Sequence, residues 1–228
     1  MSFGLPGIVA GAANFLPGQG QFVVPNIAQR VAEQATYSTY RFPAGTAISS
    51  NSDYRFFQVG RSQAGQGFGS TALSISETNL TTNGMLSGSE TFEVSAIAAE
   101  VVGGVTSGVV QGVLPSDLRL LQRIMVFQWD FTAGSSSQVM IAPLSFVGSG
   151  GGIFGATADT GTPTTFVNNG NGGLWIYQRL VVAISATQPF AIVGYTGNAG
   201  QTSALAPVGE TQVRVSLFNL NRTLLPTG

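Results

Sequence analysis

From Met125 to Phe131 every second residue is large and apolar: Met125, Phe127, Trp129 and Phe131. Ile124, Val126 and Gln128 make up the other face. Side chains alternate between faces only in an extended chain, so this period of two predicts a strand over Arg123 to Thr132 with its aromatic face against a core. The same rhythm returns at Thr91 to Val102, where Phe92, Val94 and Ala96 oppose Glu93 and Ser95. It returns again at Thr211 to Leu220, with Val213, Val215 and Leu217 facing in and Arg214 and Ser216 facing out.

Weaker strand signals cover Thr36 to Phe42, Tyr54 to Val59, Thr71 to Ile75, Gln138 to Val147, Leu174 to Ile184 and Pro189 to Tyr195. Val105 to Val113 reads as a further strand or a bulged continuation of the one before it. Pro25 to Ala35 carries Ile27, Val31 and Ala35 at helical spacing; a short helix and a loop leading into the next strand fit it equally. In the second half the helix signal is Pro115 to Leu121, where Ser116 suits the cap of a single turn.

Nine or ten strands with no helices alternating between them exclude parallel βαβ units. The predicted fold class is all-β: a single jelly roll, that is, a two-sheet antiparallel β-sandwich with an extended N-terminal arm and long loops. A double roll needs about sixteen strands, more than this chain provides. The expected organisation is an arm over residues 1–24 and one sandwich domain over residues 25–228. The 31 glycines and 10 prolines of the 228 residues supply the turns. The long connections are Gly60 to Ser70, Gly148 to Gly173 and Gly194 to Gly209; loops of such length are usually functional or covered by a partner.

Composition then removes most chemistry. The chain has no cysteine, no histidine and no lysine. Disulfides, thiolate metal sites, Ser-His-Asp triads, imidazole zinc sites, Schiff bases and P-loop lysines are therefore excluded. A net charge of −1 gives no broad field for phosphates, and no specific nucleic-acid contact is predicted. No run of eighteen apolar residues predicts a membrane-crossing helix. The start, Met1 to Pro6, lacks the basic region of a secretory signal. Gly148 to Gly152 looks like a phosphate cradle but has neither the lysine nor the βαβ setting, and it reads as a surface loop.

Carboxylates are the acid–base groups left, and of the ten acids those weighed as a site are Glu90, Glu93, Glu100, Asp117 and Asp130. Glu93 and Glu100 stand seven apart, which in a regular strand places them on opposite faces. A glycosidase needs two carboxylates about 5 to 10 Å apart, and nothing in the spacing brings a pair together. Arg41, Arg55 and Arg61 interleave with Tyr37, Tyr40, Phe42, Tyr54, Phe56 and Phe57. That pattern suits single-stranded nucleic acid, but it also suits strands with aromatics inside and arginines at their rims, the reading adopted here. The sequons at Asn79 and Asn221 are taken as chance. No catalytic, cofactor-binding or metal-ligating residue is assigned, and the chain is read as a non-enzyme.

Only 8% of the residues are charged, against roughly 25% in an ordinary soluble domain. Such a surface is either rich in Ser, Thr and Gly or covered by partners; the second is favoured, because the centres of protein interfaces are depleted of charge. Residues 1–21 carry no charge and scatter Phe3, Leu5, Ile8, Val9, Phe15 and Leu16 among small residues. They read as a flexible terminus or as an arm lying on a neighbouring subunit or a lipid surface.

The order of features resembles the jelly-roll major capsid proteins of tailless icosahedral bacterial viruses, several of which enclose a lipid membrane. The resemblance runs from Ser76-Glu77-Thr78-Asn79-Leu80 and Gly84-Met85-Leu86 into Thr91 to Ile97. It continues through Asp117-Leu118-Arg119-Leu120-Leu121 to Phe127-Gln128-Trp129-Asp130-Phe131, then Pro143-Leu144, Gly150 to Gly152, Gln188-Pro189-Phe190 and Asn221-Arg222. It covers roughly residues 70 to 225 and carries no catalytic residue. It implies a shell subunit of the virion, assembled in the host cytoplasm. Its partners would be copies of itself (a trimer or larger ring, then a shell), minor capsid proteins and, in membrane-containing members, a lipid bilayer. The alternative is a spike or glycan-binding sandwich, with Trp175 following Asn168, Asn169 and Asn171 as its site. A third reading, a carboxylate enzyme, would rest on Glu93, Glu100 and Asp130.

Overall fold

A computed structural model describes residues 29–86, 90–106, 109–110, 112–130, 138–147, 175–176, 182–185, 188–197 and 205–224. The arm over residues 1–24 and the Gly148 to Gly152 loop lie outside them. The strands are β1 (Gln29–Phe42), β2 (Ser52–Phe56), β3 (Glu90–Gly103), β4 (Val105–Thr106), β5 (Val109–Val110), β6 (Met125–Asp130), β7 (Gln138–Pro143), β8 (Trp175–Ile176), β9 (Val182–Ile184), β10 (Ala191–Thr196) and β11 (Thr211–Leu224). A ten-residue helix, α1 (Pro115–Ile124), precedes β6, and a 3-10 turn (Leu144–Phe146) follows β7.

The strands form two larger sheets. One has the order β1-β11-β3-β8, with β9 also on β3; the other has the order β2-β10-β6-β7. Every pairing is antiparallel, and the pairs nest. The first strand pairs with the last, β2 with β10, β3 with β8 and β9, and β6 with β7 in the middle. A chain doubled back on itself and then rolled, so that its strands are dealt between two sheets, gives this nesting. It is the wrapping of a jelly roll. β4 and β5 make a small separate hairpin.

Period-two patterning puts the core between the sheets. β6 contributes Met125, Phe127 and Trp129, and β11 contributes Val213, Val215 and Leu217, all buried. Phe56 of β2 stacks edge-on against Phe127 at 5.6 Å, and Tyr40, Phe42 and Tyr54 pack their rings 5.0 to 5.2 Å apart beside it. The interleaved arginines and aromatics of β1 and β2 are therefore strand alternation, with Tyr40, Phe42, Tyr54 and Phe56 inside and Arg41, Arg55 and the Tyr37 ring outside.

β3 departs from regular alternation. Phe218 is opposite Ala96 and Asn219 is opposite Val94, so Ser95 has no partner on β11. This bulge switches the inward phase from Phe92 and Val94 to Ile97, Ala99 and Val101. Glu93 and Glu100 consequently lie on the same outer face, correcting the expectation that they face opposite ways.

Other expectations change as well. Residues 29–35 extend β1 and are not helical; a spacing of four also keeps one face of a strand, so Val31 and Ala35 do not separate the two. Thr71 to Ile75 is not a strand. Leu73 plugs into the core while Ile75 is 60% exposed, within a segment that crosses the edge of β1. Within the span Leu174 to Ile184 the described residues are strand, at Trp175–Ile176 and Val182–Ile184. The helix takes Arg123 and Ile124 from the expected strand, and its N-cap is Leu114 with Pro115 in the first turn, so Ser116 is not the cap.

The free edge of β1 is covered. Asn79 accepts from the Tyr37 N–H at 2.9 Å and donates to the Ala35 carbonyl at 2.7 Å, while the Thr78 hydroxyl donates to the Tyr37 carbonyl at 3.1 Å. Further along, the Arg41 N–H donates to Gln66. Gly67 (φ +83°) lets this cover approach: a Cβ there would collide with the Arg41 carbonyl oxygen. An unpaired strand edge invites pairing with another chain, and this strap removes the invitation.

Candidate interaction surface

The register sets which loops share an end. Phe42 lies beside Thr211 and Thr211 beside Gly103; Thr196 lies beside Ser52 and Met125; Val126 lies beside Pro143. The connections β1–β2, β3–β6 and β10–β11, and the turn after β7, therefore gather at one end of the sandwich. The other end carries Gln29 and Leu224, which are opposite each other.

Hydrogen bonds knit the first end together. Gly45 N–H donates to Pro207 at 2.8 Å and Ile48 N–H to Leu205 at 2.7 Å. Asn51 N–H donates to Thr196, whose hydroxyl donates to Ser49 at 2.6 Å. Gly197 N–H donates to Ile124 at the close of α1. The strongest tie comes from Asp117 in the first turn of α1. Its carboxylate is buried and accepts the N–H groups of Val208 and Gly209, each at 2.8 Å. Charge-assisted bonds of this kind are about twice as strong as neutral ones. The loop so anchored displays Val208, 71% exposed; beside α1, the 3-10 turn displays Phe146, 68% exposed. Large apolar residues held outward by rigid loops suit a contact surface.

The outer face of the first sheet has its own polar array. Arg214 donates to Glu100 at 3.0 Å, to the Thr39 hydroxyl at 3.2 Å and to the Ser76 carbonyl at 2.7 Å, and it lies over the Tyr37 ring at 5.5 Å. The Tyr37 hydroxyl donates to the Ile75 carbonyl. Arg41 pairs with Glu210 and lies 5.8 Å from the Phe68 ring centre. These contacts tie three strands and the edge strap together.

The arginines singled out from the sequence do not form one patch. Arg41 projects from the outer face of the first sheet; Arg55 projects from the second sheet and meets Asp53 at 3.9 Å. Arg61 is exposed in the strap. The carboxylates are equally dispersed. Glu93 and Glu100 are seven residues apart on one strand, about 20 Å, and Glu100 is engaged by Arg214. Asp117 lies at the loop end and Asp130 at the far end of β6. Among the described residues no group of three acids is placed to hold a metal. Trp175 lies in β8 opposite Ile97, while Asn168, Asn169 and Asn171 are outside the described residues. Asn79 of the first sequon spends its amide on β1.

Sequence reasoning missed the Asp117 clamp, because nothing at positions 208 and 209 marks them as donors to a helix. The one available signal was an acid in the first turn after Pro115. Comparison with family models, curated proteins and solved structures finds no match to this chain.

Proposed function

We propose that this chain is a self-assembling structural subunit that tiles a closed shell, the role implied by its resemblance to jelly-roll capsid proteins. The observation that carries the reading is the pairing of a charge-poor chain with a rigid two-sheet block whose knitted end holds Phe146 and Val208 out to solvent. Two layers of antiparallel strands make a body that keeps its shape. Many weak contacts on such bodies add up, because each subunit has several neighbours. A standard interface covers roughly 800 Å² per partner, and covering the apolar residues of the N-terminal segment (Phe3, Leu5, Ile8, Phe15) would add several kcal/mol at about 25 cal/mol/Å².

Light scattering and electron microscopy of the purified protein across salt and pH test this. Regular particles or rings are expected. A monomer that persists at millimolar concentration under all conditions overturns the reading. Glycan-array binding by such a monomer would favour the spike or glycan-binding alternative instead.

A further inference from the structure

We propose that Asn83 is a site of spontaneous chemical modification: in the folded chain it deamidates through a cyclic imide with Gly84, and the isoaspartate that results releases the start of the strap over β1. Thr82 and Met85 face each other across a four-residue turn with Asn83 and Gly84 at its centre. Asn83 is exposed, and Gly84 has a φ of +68°, a conformation that glycine adopts freely. A Cβ at Gly84 would meet nothing closer than 3.8 Å, so the space around it is open. The Gly84 N–H enters none of the hydrogen bonds made by the described residues. Its nitrogen is therefore neither shielded nor committed to another partner.

The Asn83 side chain, by contrast, is engaged: its Oδ1 accepts the Gly60 N–H at 2.7 Å. Attack of the Gly84 nitrogen on Cγ builds negative charge on that oxygen, and a donor fixed there stabilises the charge as it develops. The Gly84 nitrogen gives its proton to hydroxide, the N–Cγ bond forms, and the Cγ–Nδ2 bond breaks as the side-chain nitrogen leaves as ammonia. Water then opens the ring at either carbonyl, giving aspartate or isoaspartate. Nothing is oxidised or reduced, and no side-chain base is required, which suits a chain without histidine or lysine. The two products act differently on the strap. Aspartate keeps an oxygen in place for Gly60. Isoaspartate sends the main chain through the former side chain, lengthens the turn by one carbon and withdraws that acceptor. The Gly60 tie stands beside the bonds from the Arg61 N–H to Leu80 and from the Ser62 N–H to Leu73, both 2.8 Å, which close the strap on itself.

Peptide mapping of the folded protein stored in mildly alkaline buffer, with isoaspartate detected by enzymatic methylation, tests the site. The map separates Asn83 from Asn169 and Asn171, which also precede glycine. Conversion at Asn83 is expected, and its loss in Asn83→Gln, whose longer side chain would have to close a larger ring. An Asn83 that stays intact in the folded chain but converts in urea, or that converts in neither, overturns the proposal. Hydrogen exchange then reads the strap. Faster exchange at Gly60 and Arg61 is expected in the isoaspartate form and not in Asn83→Asp, which keeps the acceptor. Equal exchange in the isoaspartate form and the parent overturns the release of the strap.

Discussion

Asp117 and Val208, far apart in sequence, are joined by a buried carboxylate that accepts the Val208 backbone N–H at 2.8 Å. The same carboxylate holds Gly209. Asn at this position offers one oxygen and turns an N–H₂ group toward a second N–H donor. Asp117→Asn is therefore expected to cost about 2 kcal/mol, and to raise cleavage by proteases near Val208. Urea unfolding with limited proteolysis measures both. Unchanged stability and cleavage would remove the clamp from the account.

Ser38 occupies a buried position where its hydroxyl oxygen accepts from the Phe57 N–H at 2.8 Å and from the Gln66 side chain at 2.7 Å. Ser38→Ala leaves two buried donors facing a methyl group. A loss of about 2 to 3 kcal/mol is expected. Ala35→Ser, on the outer face of the same strand, should be close to neutral by comparison. Denaturant midpoints distinguish the two, and equal effects would contradict the assignment.

Phe127 is fully buried and stacks on Phe56 across the sheet. Phe127→Ala removes the ring and leaves a cavity between the sheets. About 3 to 5 kcal/mol of stability should be lost, which for a domain of this size threatens folding at 37 °C. Phe127→Leu should retain most of it. A thermal melt showing Phe127→Ala within 1 °C of the parent would place the core elsewhere.

Alkali should weaken the fold through two tyrosines. Burial raises the phenols of Tyr40 and Tyr54, Tyr40 further through its neighbour Tyr54, while a backbone hydrogen bond with Ser49 partly offsets the effect at Tyr54. The folded chain thus resists ionisation that the unfolded chain accepts. Their contribution is complete below about pH 10 and is lost as pH rises through the higher folded values. Glu77 works in the opposite direction. Burial pushes its carboxyl up, but hydrogen bonds from Ser74 and Ser76 together outweigh burial and hold it below the ordinary range. Its contribution is present above the ordinary glutamate value and fades as pH falls through the lower folded one. Unfolding midpoints should therefore fall at both extremes, with Tyr54→Phe flattening the alkaline limb and Glu77→Gln the acid one. A limb unaltered by its substitution refutes that half.

Much of the sandwich could be read directly. β6 from Met125 to Trp129 and β11 from Thr211 to Phe218 alternate without interruption because one face of each packs a core and the other does not. β1 was harder. Val31 and Ala35 satisfy a helix as well as a strand, and pairing with β11 along the full strand decides between them. Thr71 to Ile75 alternated for a different reason, since Leu73 anchors a strap and Ile75 does not. Glu93 and Glu100 were misplaced because a bulge at Ser95 depends on what β11 brings opposite it. The contact surface was barely legible: Phe146 and Val208 look like any other apolar residues until the loops around them are in place.

Gln29 stands opposite Leu224, and the strands between those two positions nest inside that pair. A ribosome delivers β1 long before its partner exists, and the first sheet stays incomplete until Leu224 has emerged. Most native contacts here span long stretches of sequence, the regime of slow folding. The interval before the last strand docks is when the chain is most open to aggregation. Chaperone supply and expression temperature, more than the strength of any single contact, should therefore govern how much of it reaches the native state.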